Sequence, residues 1–418
     1  MLLNITVENF RSYNEPQTLS LIASDDSEIN AVNVGDVMVR KAAVIYGANA
    51  SGKSNLIKAL ITLIDILRFD LNQPTEQHRA PVYTPFFKNH NPTSISIDFS
   101  IDDKIYTYTL SYDDKKIHTE KLLYEDDTPI FIRHFVDGSY EYLISKPELI
   151  LSSEQLKVAD GLLKQIQLST SERRLFLRQL VENNCKKLEP ILHGIIQIVI
   201  RLNPYGVIGK PLFAEQDLSY AANYFKDKNQ DEMVIKPLNS IGVNLEGLKV
   251  IFNSENPRPG DVFHGVRQLL SKYNINGKEY ELNFLTDESD GTIKFYTYLA
   301  LVDHIVNTSG LLVIDEIETH FHPLLVEEII RAVQNSNSKA QIIFTTHNPI
   351  LLNNSIFEPD QVYFAAKNEE KHATELYSLA DFDDLEDNDN WVAKYLTGNF
   401  GAIPYLRGLF FGKDKSNG

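Results

Sequence analysis

Eight residues, Gly47-Ala-Asn-Ala-Ser-Gly-Lys-Ser54, set two glycines five apart ahead of a lysine and a hydroxyl. The spacing fits G-x-x-x-x-G-K-[ST], the Walker A phosphate loop. Glycine lets the chain curl, so that the main-chain N–H groups of Gly47, Ala48, Asn49, Ala50, Ser51 and Gly52 can face phosphate oxygens. A helix that starts here adds partial positive charge at its N-terminus. Lys53 has the reach for the β- and γ-phosphates, and the Ser54 hydroxyl suits Mg²⁺. The flanks agree with this reading. An apolar strand, Ala42 to Tyr46, precedes the loop, and an apolar-periodic segment, Asn55 to Arg68, reads as the helix after it.

Two carboxylates end a second apolar run, Leu311-Leu-Val-Ile-Asp-Glu316. A buried strand of this kind presents its C-terminal end to the ligand crevice of a parallel sheet. Asp315 then supports Mg²⁺ directly or through water, and Glu316 is placed to orient or deprotonate a water. Taken alone, Asp-Glu after a strand also reads as an ordinary acidic helix start. A third strand, Gln341 to Phe344, runs into Thr345-Thr-His347-Asn-Pro. Most histidines at strand ends are structural; this one, following Walker B, could hydrogen-bond a γ-phosphate and sense its loss. Finally, Glu288-Ser-Asp-Gly-Thr292 opens a helical segment, Ile293 to Val306. Ser289 reads equally as a plain N-cap and as part of an anion site with Gly291.

The elements that must position these residues follow from the pattern. Ile5 to Phe10 reads as a strand. Alternation from Thr93 to Ile132, with Asp-Asp turns at Asp102-Asp103 and Asp113-Asp114, reads as an antiparallel meander. Pro147 to Leu202 reads as helical, and residues 203 to 280 are mixed. From Tyr280 onward, strands alternate with helices, which predicts a parallel α/β sheet. The expected organisation is an N-terminal ATPase lobe over 1–135, an inserted mainly helical lobe over 136–279 and a C-terminal lobe over 280–418. There is no fixed-period repeat and no sustained heptad.

Composition narrows the class. The chain has 418 residues, one cysteine and a formal net charge of −17. One cysteine makes no internal disulfide, and no Cys/His group has zinc-finger spacing. The N-terminus lacks a signal-peptide pattern, and no run of about 18 apolar residues is present, so a cytoplasmic protein away from membranes is expected. The acidity argues against strong unaided nucleic-acid binding. Residues 151 to 210 depart from it, with nine Lys/Arg against five Asp/Glu, about +4.

These motifs together resemble the ABC-type ATPase heads of the SMC, RecF and OLD proteins. The resemblance rests on Gly-Lys-Ser-Asn55, a degenerate Ser-Asp-Gly signature, Asp-Glu at Walker B and Thr-Thr-His. The opening Ile5-Thr-Val-Glu-Asn-Phe-Arg-Ser-Tyr13, the segment Glu316-Ile-Glu-Thr-His-Phe-His-Pro323 and the ending Tyr395-Leu-Thr-Gly-Asn-Phe-Gly-Ala-Ile-Pro404 sharpen it. They are similar to the short AAA_21/AAA_15 ATPases of bacterial phage-defence operons, of RloA/AbiLi, PARIS and Septu type. The likeness covers about 1–130 and 280–405. It implies an ABC-type P-loop fold with an antiparallel β-subdomain, ATP and Mg²⁺ as ligands, and ATP hydrolysis. It implies phosphate and Mg²⁺ contacts for Lys53 and Ser54, nucleotide contacts for Asn55 and Arg11, metal support from Asp315 and a catalytic carboxylate at Glu316. His347 takes the position of the switch histidine. Ser289 and Gly291 take that of the signature, which in the family meets the partner subunit's γ-phosphate, and Glu318 to His322 that of the D-loop.

Two departures from the family pattern stand out. The signature lacks Leu-Ser-Gly-Gly-Gln, which argues against a transporter subunit, and Gln73 and Gln77 are only candidates for the Q-loop. His320 and His322 read weakly as a metal pair, since no third ligand is near. Fewer than sixty residues follow Asp360, too few for the Toprim nuclease of OLD relatives. A homodimer or higher homo-oligomer is implied, with a separately encoded effector such as a nuclease. The alternative is a RecF-like DNA-repair ATPase that contacts nucleic acid itself. The acidic run near Asp383 reads as a solvated loop or a partner surface.

Overall fold

The computed structural model describes residues 1–24, 29–71, 83–125, 127–201, 215–252, 266–319, 321–383, 385–386 and 389–404. Its centre is a six-stranded sheet in the order Val199–Arg201, Leu311–Ile314, Gln341–Thr345, Ala42–Tyr46, Val362–Lys367, Thr374–Ser378. The first five strands run parallel, and the last pairs antiparallel at the edge. All five residues of Ala42–Tyr46 are buried, as the uninterrupted apolar run requires of a strand covered on both faces. Successive side chains of a strand point to opposite faces. Ala43, Ile45, Val313 and Ile343 accordingly enter one core, while Val44, Tyr46, Leu312, Ile314 and Phe344 enter the other.

The first core holds the helix after the phosphate loop, Lys53–Phe69. Its Leu56, Leu60, Leu63 and Leu67 recur at three- and four-residue steps and are buried. They pack toward a seven-stranded sheet in the order Ser139–Leu143, Thr128–Val136, Ile117–Tyr124, Lys104–Tyr112, Thr93–Ile101, Leu2–Glu8, Gln17–Ser20, antiparallel throughout. The expected meander is therefore present. Asp102 and Asp103 both have positive φ, 49° and 62°, the backbone of a two-residue hairpin turn. On the other face of the central sheet lie Asp290–Thr308 and Pro323–Gln334, which bury Phe295, Tyr298, Ile305, Val326 and Ile330.

The middle of the chain divides between these cores. Ala159–Ser169, Phe176–Glu182 and Glu189–Ile198 are helices, and Leu163, Phe176, Leu180 and Ile195 join the first core. The buried Glu120 carboxylate accepts from the N–H groups of Phe176 (2.6 Å) and Leu177 (2.9 Å) and from the Tyr108 hydroxyl (3.0 Å), locking a helix start to the sheet. The helical expectation fails at Val199–Arg201, a strand beside Leu311–Ile314. Its β-branched run suits a strand better than a helix. Leu218, Phe225 and Leu238 join the second core instead. Gly247–Phe252, Val266–Ile275 and Lys278–Asn283 form a three-stranded antiparallel sheet, so residues 136–279 are not wholly helical. Asn276-Gly277, both at positive φ, make the hairpin turn between the last two of these strands, within the stretch whose sequence pattern is mixed.

Candidate functional site

The phosphate loop lies between the C-terminal end of Ala42–Tyr46 and the start of the helix Lys53–Phe69. Gly47 and Gly52 have φ of 150° and 111°. A Cβ at Gly47 would strike the Ala365 carbonyl, and one at Gly52 would strike the Thr374 side chain. Both positions therefore need glycine for space as well as for φ. Three neighbours hold the loop from outside. The Thr374 hydroxyl donates to the Ser51 carbonyl (2.7 Å), the Tyr13 hydroxyl donates to the Gly52 carbonyl (3.2 Å), and the Ser12 hydroxyl accepts from the Asn55 amide (2.8 Å). The Gly47 N–H reaches Tyr395, whose ring lies 5.7 Å from that of Tyr46.

Lys53 is only 4% exposed and donates to the carbonyls of Gly47 (2.8 Å) and Ala48 (2.9 Å). Burial pulls its pKa down to about 8, against the opposing pull of Asp315, Glu316 and Glu318. The Ser51 hydroxyl is buried without a hydrogen-bond partner among the described residues. A loop that folds its own ammonium back on itself and leaves a hydroxyl unmet fits an anion that would take both.

Across the crevice, Ser54 Oγ donates to Asp315 Oδ1 at 2.9 Å, and Thr345 Oγ1 donates to the same oxygen at 2.6 Å. Thr345 Oγ1 also accepts the Glu316 N–H at 2.7 Å. Glu316 has φ 52°, a conformation uncommon for a non-glycine residue and concentrated at functional sites. His347 Nε2 stands 3.8 Å from Glu316 Oε1, and the His347 N–H donates to Glu318 Oε1 at 2.6 Å. The hydroxyl of Ser54 and the carboxylate of Asp315 form an all-oxygen donor pair, which fits a hard divalent cation such as Mg²⁺.

The structure thus brings together Gly47 to Asn55, Asp315, Glu316 and His347. Arg11 lies beside them through its neighbours Ser12 and Tyr13; its N–H donates to the Thr84 carbonyl (2.7 Å), and its guanidinium sits 5.6 Å from the Phe10 ring. Ser289 and Gly291 are not brought in. They line an open groove of about 850 Å³ with Phe295, Phe321, Leu325 and Ile329, and none of the Walker residues lines it. Ser289 Oγ accepts the Thr292 N–H at 3.1 Å, the N-cap of its helix. His322 caps the next helix at Leu324 N (3.3 Å). Gln73, Gln77 and His320 lie outside the described residues. Sequence reasoning missed Thr345, Thr374 and the hydroxyls of Ser12 and Tyr13. Ser12 and Tyr13 stood inside a quoted motif, and Thr345 beside His347; only folding shows where Thr374, far along the chain, belongs.

The chain is 31% identical over 136 residues to the "Septu protein PtuA" of Bacillus mycoides (strain KBAB4), an alignment covering 30% of this chain and 18% of that protein. Among solved structures it is similar to "SmcHead bound to the C-winged helix domain of ScpA", at 13% identity, with 90% of this chain and 97% of that one covered and a TM-score of 0.40. It is also similar to the SMC head domain from Thermotoga maritima, at 12% identity, 90% and 98% coverage and a TM-score of 0.35. Residues 42–353, from the strand before the phosphate loop to just past His347, match the family model "AAA domain, putative AbiEii toxin, Type IV TA system", and the chain belongs to that family.

Proposed function

We propose that the chain binds Mg-ATP at the Gly47–Asn55 loop and hydrolyses it to ADP and phosphate. The observation that carries this reading is the link from Ser54 through Asp315 and Thr345 to Glu316. One threonine hydroxyl sets the carboxylate that would support the metal and the main chain of the carboxylate that would act on water. The Lys53 ammonium exchanges the loop carbonyls for the β- and γ-phosphates, and the loop N–H groups take the remaining oxygens. A bound Mg²⁺ would supply charge neutralisation across those phosphates, held by Ser54 and Asp315. Glu316 orients the attacking water and takes its proton, and His347, facing Glu316, reports the γ-phosphate. Glu316→Gln keeps shape but not basicity. It should bind ATP normally and lose turnover by roughly 100-fold or more, whereas Lys53→Ala should lose binding itself. Wild-type turnover in Glu316→Gln would remove Glu316 from the role of base.

Beyond catalysis, we infer a homodimer or higher homo-oligomer that controls a separately encoded effector, such as a nuclease, in phage defence. The short match to a Septu protein and the defence-type motifs support this reading. The alternative, a RecF-like repair ATPase on DNA, draws on the local +4 of residues 151–210. Arg173 and Arg178 there donate to the main chain of Leu71, Asp114, Leu67 and Arg68, and Arg174 pairs with Glu182. Cations committed in this way are less available to phosphates. Co-purification with the product of a neighbouring gene, then phage challenge of cells carrying both genes, tests the choice. Protection against DNA damage but not phage would favour repair.

A further inference from the structure

Three hydrogen bonds lace the turn after Leu311–Ile314 to the end of Gln341–Thr345. The Glu316 N–H donates to Thr345 Oγ1 (2.7 Å), the Ile317 N–H to the Thr345 carbonyl (3.1 Å), and the His347 N–H to Glu318 Oε1 (2.6 Å). The first two hold the turn to the strand; only the third holds the main chain of the histidine. Ile317 is fully buried and pins the backbone between the two acidic residues. The main chain from which the Glu318 carboxylate reaches His347 is thereby tied to the core. The other oxygen of Glu318, Oε2, is buried and has no hydrogen-bond partner among the described residues. An acidic residue after a strand is ordinarily solvated or caps a helix; this one is turned inward onto another segment's N–H, at the cost of an unmet oxygen.

We propose that Glu318 is a positioning residue for ATP turnover. Its carboxylate clasps the main chain of His347 and so holds the imidazole opposite Glu316. The inference rests on the ATPase reading above. In this role Glu318 acts through His347, as outer-sphere partners orient the groups that react.

The test is steady-state ATP hydrolysis by the full chain carrying Glu318→Ala, Glu318→Gln, His347→Ala or the double change to alanine at both positions, with thermal unfolding of each. Glu318→Gln keeps an acceptor oxygen and should hold kcat within about threefold, whereas Glu318→Ala should lower kcat roughly tenfold with KM for ATP within about twofold. The double variant should be no slower than His347→Ala, because both changes remove one interaction. Should Glu318→Ala fail to fold, Glu318→Met fills the same space without an acceptor and carries the same expectation. Unchanged kcat in Glu318→Ala beside a loss in His347→Ala overturns the proposal and leaves the ATPase reading standing, as do additive losses in the double variant. Unchanged kcat in both, with Lys53→Ala inactive, overturns the clasp and the role of His347 together. Full turnover in Lys53→Ala would sink the ATPase reading itself.

Discussion

Lys53 carries its charge where water is nearly excluded, and that has a consequence in pH. Burial lowers its pKa to about 8, so above that value the nucleotide-free protein increasingly holds a neutral amine. A phosphate in the loop favours the charged form and raises the pKa again. ATP affinity should therefore be highest below about pH 8 and weaken as pH rises through it, with proton uptake on binding. Calorimetry in buffers of different ionisation enthalpy should show uptake rising toward about one proton per ATP on the alkaline side; uptake independent of pH would contradict the shift. Thr345 is the second residue-scale case. It is fully buried and serves Asp315 and Glu316 at once. Thr345→Val keeps the shape and deletes both bonds. Turnover should drop by roughly tenfold or more, with a raised Mg²⁺ requirement read from metal titrations, while the melting temperature changes by only a few degrees. The sequence singles out Lys53, Ser54, Asp315 and Glu316 as candidates because phosphate and metal chemistry restricts both residue type and spacing, and the fold brings them to one crevice. It does not single out Thr345 and Thr374, because a hydroxyl fits too many roles and its partners are distant in the chain.

At the scale of elements, the strands were legible where apolar runs were unbroken and the helices where the period was long. The central strands at 42–46, 311–314 and 341–345 fall where the pattern put them. The strand Val199–Arg201 was read as helix because it continues an apolar helix without a turn residue; its identity comes from Leu311–Ile314 alongside. The edge hairpin Val362–Lys367 and Thr374–Ser378 also bears on the site, which sequence alone did not suggest. Ala365 and Thr374 press against the two glycines of the phosphate loop. Gly52→Ala should consequently destabilise the fold by about 1–3 kcal/mol, from the clash and the positive φ together, and abolish nucleotide binding. Pairing it with Thr374→Ala, which removes both the hydroxyl and the methyl that the added Cβ would meet, should recover only part of that stability in denaturant unfolding, because the Ser12 hydroxyl and the positive φ remain and the bond to the Ser51 carbonyl is lost. Full recovery would mean that neither the φ of 111° nor the Ser12 contact costs the loop anything.

For the molecule as a whole, the two halves of the candidate machinery occupy different places. The Walker residues and His347 meet at the ends of the central parallel strands, whereas Ser289 and Gly291 line their own groove. Within one chain Ser289 caps its helix and its hydroxyl meets that of Thr292 (2.9 Å). If the signature is to touch a γ-phosphate, as the resemblance implies, a second copy must bring it. Ser289→Arg should then block ATP-driven dimerisation, since the larger cation would fill the space meant for the partner's loop, while a single chain still binds nucleotide through Lys53. Mass photometry with the hydrolysis-slow Glu316→Gln background would read the dimer directly. A mixture of Lys53→Ala and Ser289→Arg chains carries the sharper arithmetic. Each mixed dimer has one site built from an intact loop and an intact signature, and one site lacking both. Turnover in the mixture should rise above that of either variant alone and stay at or below about half of wild type. A chain that hydrolyses ATP at full rate when diluted to monomer would show that the site needs no second copy, and would leave Ser289 as the helix cap it is in the isolated chain.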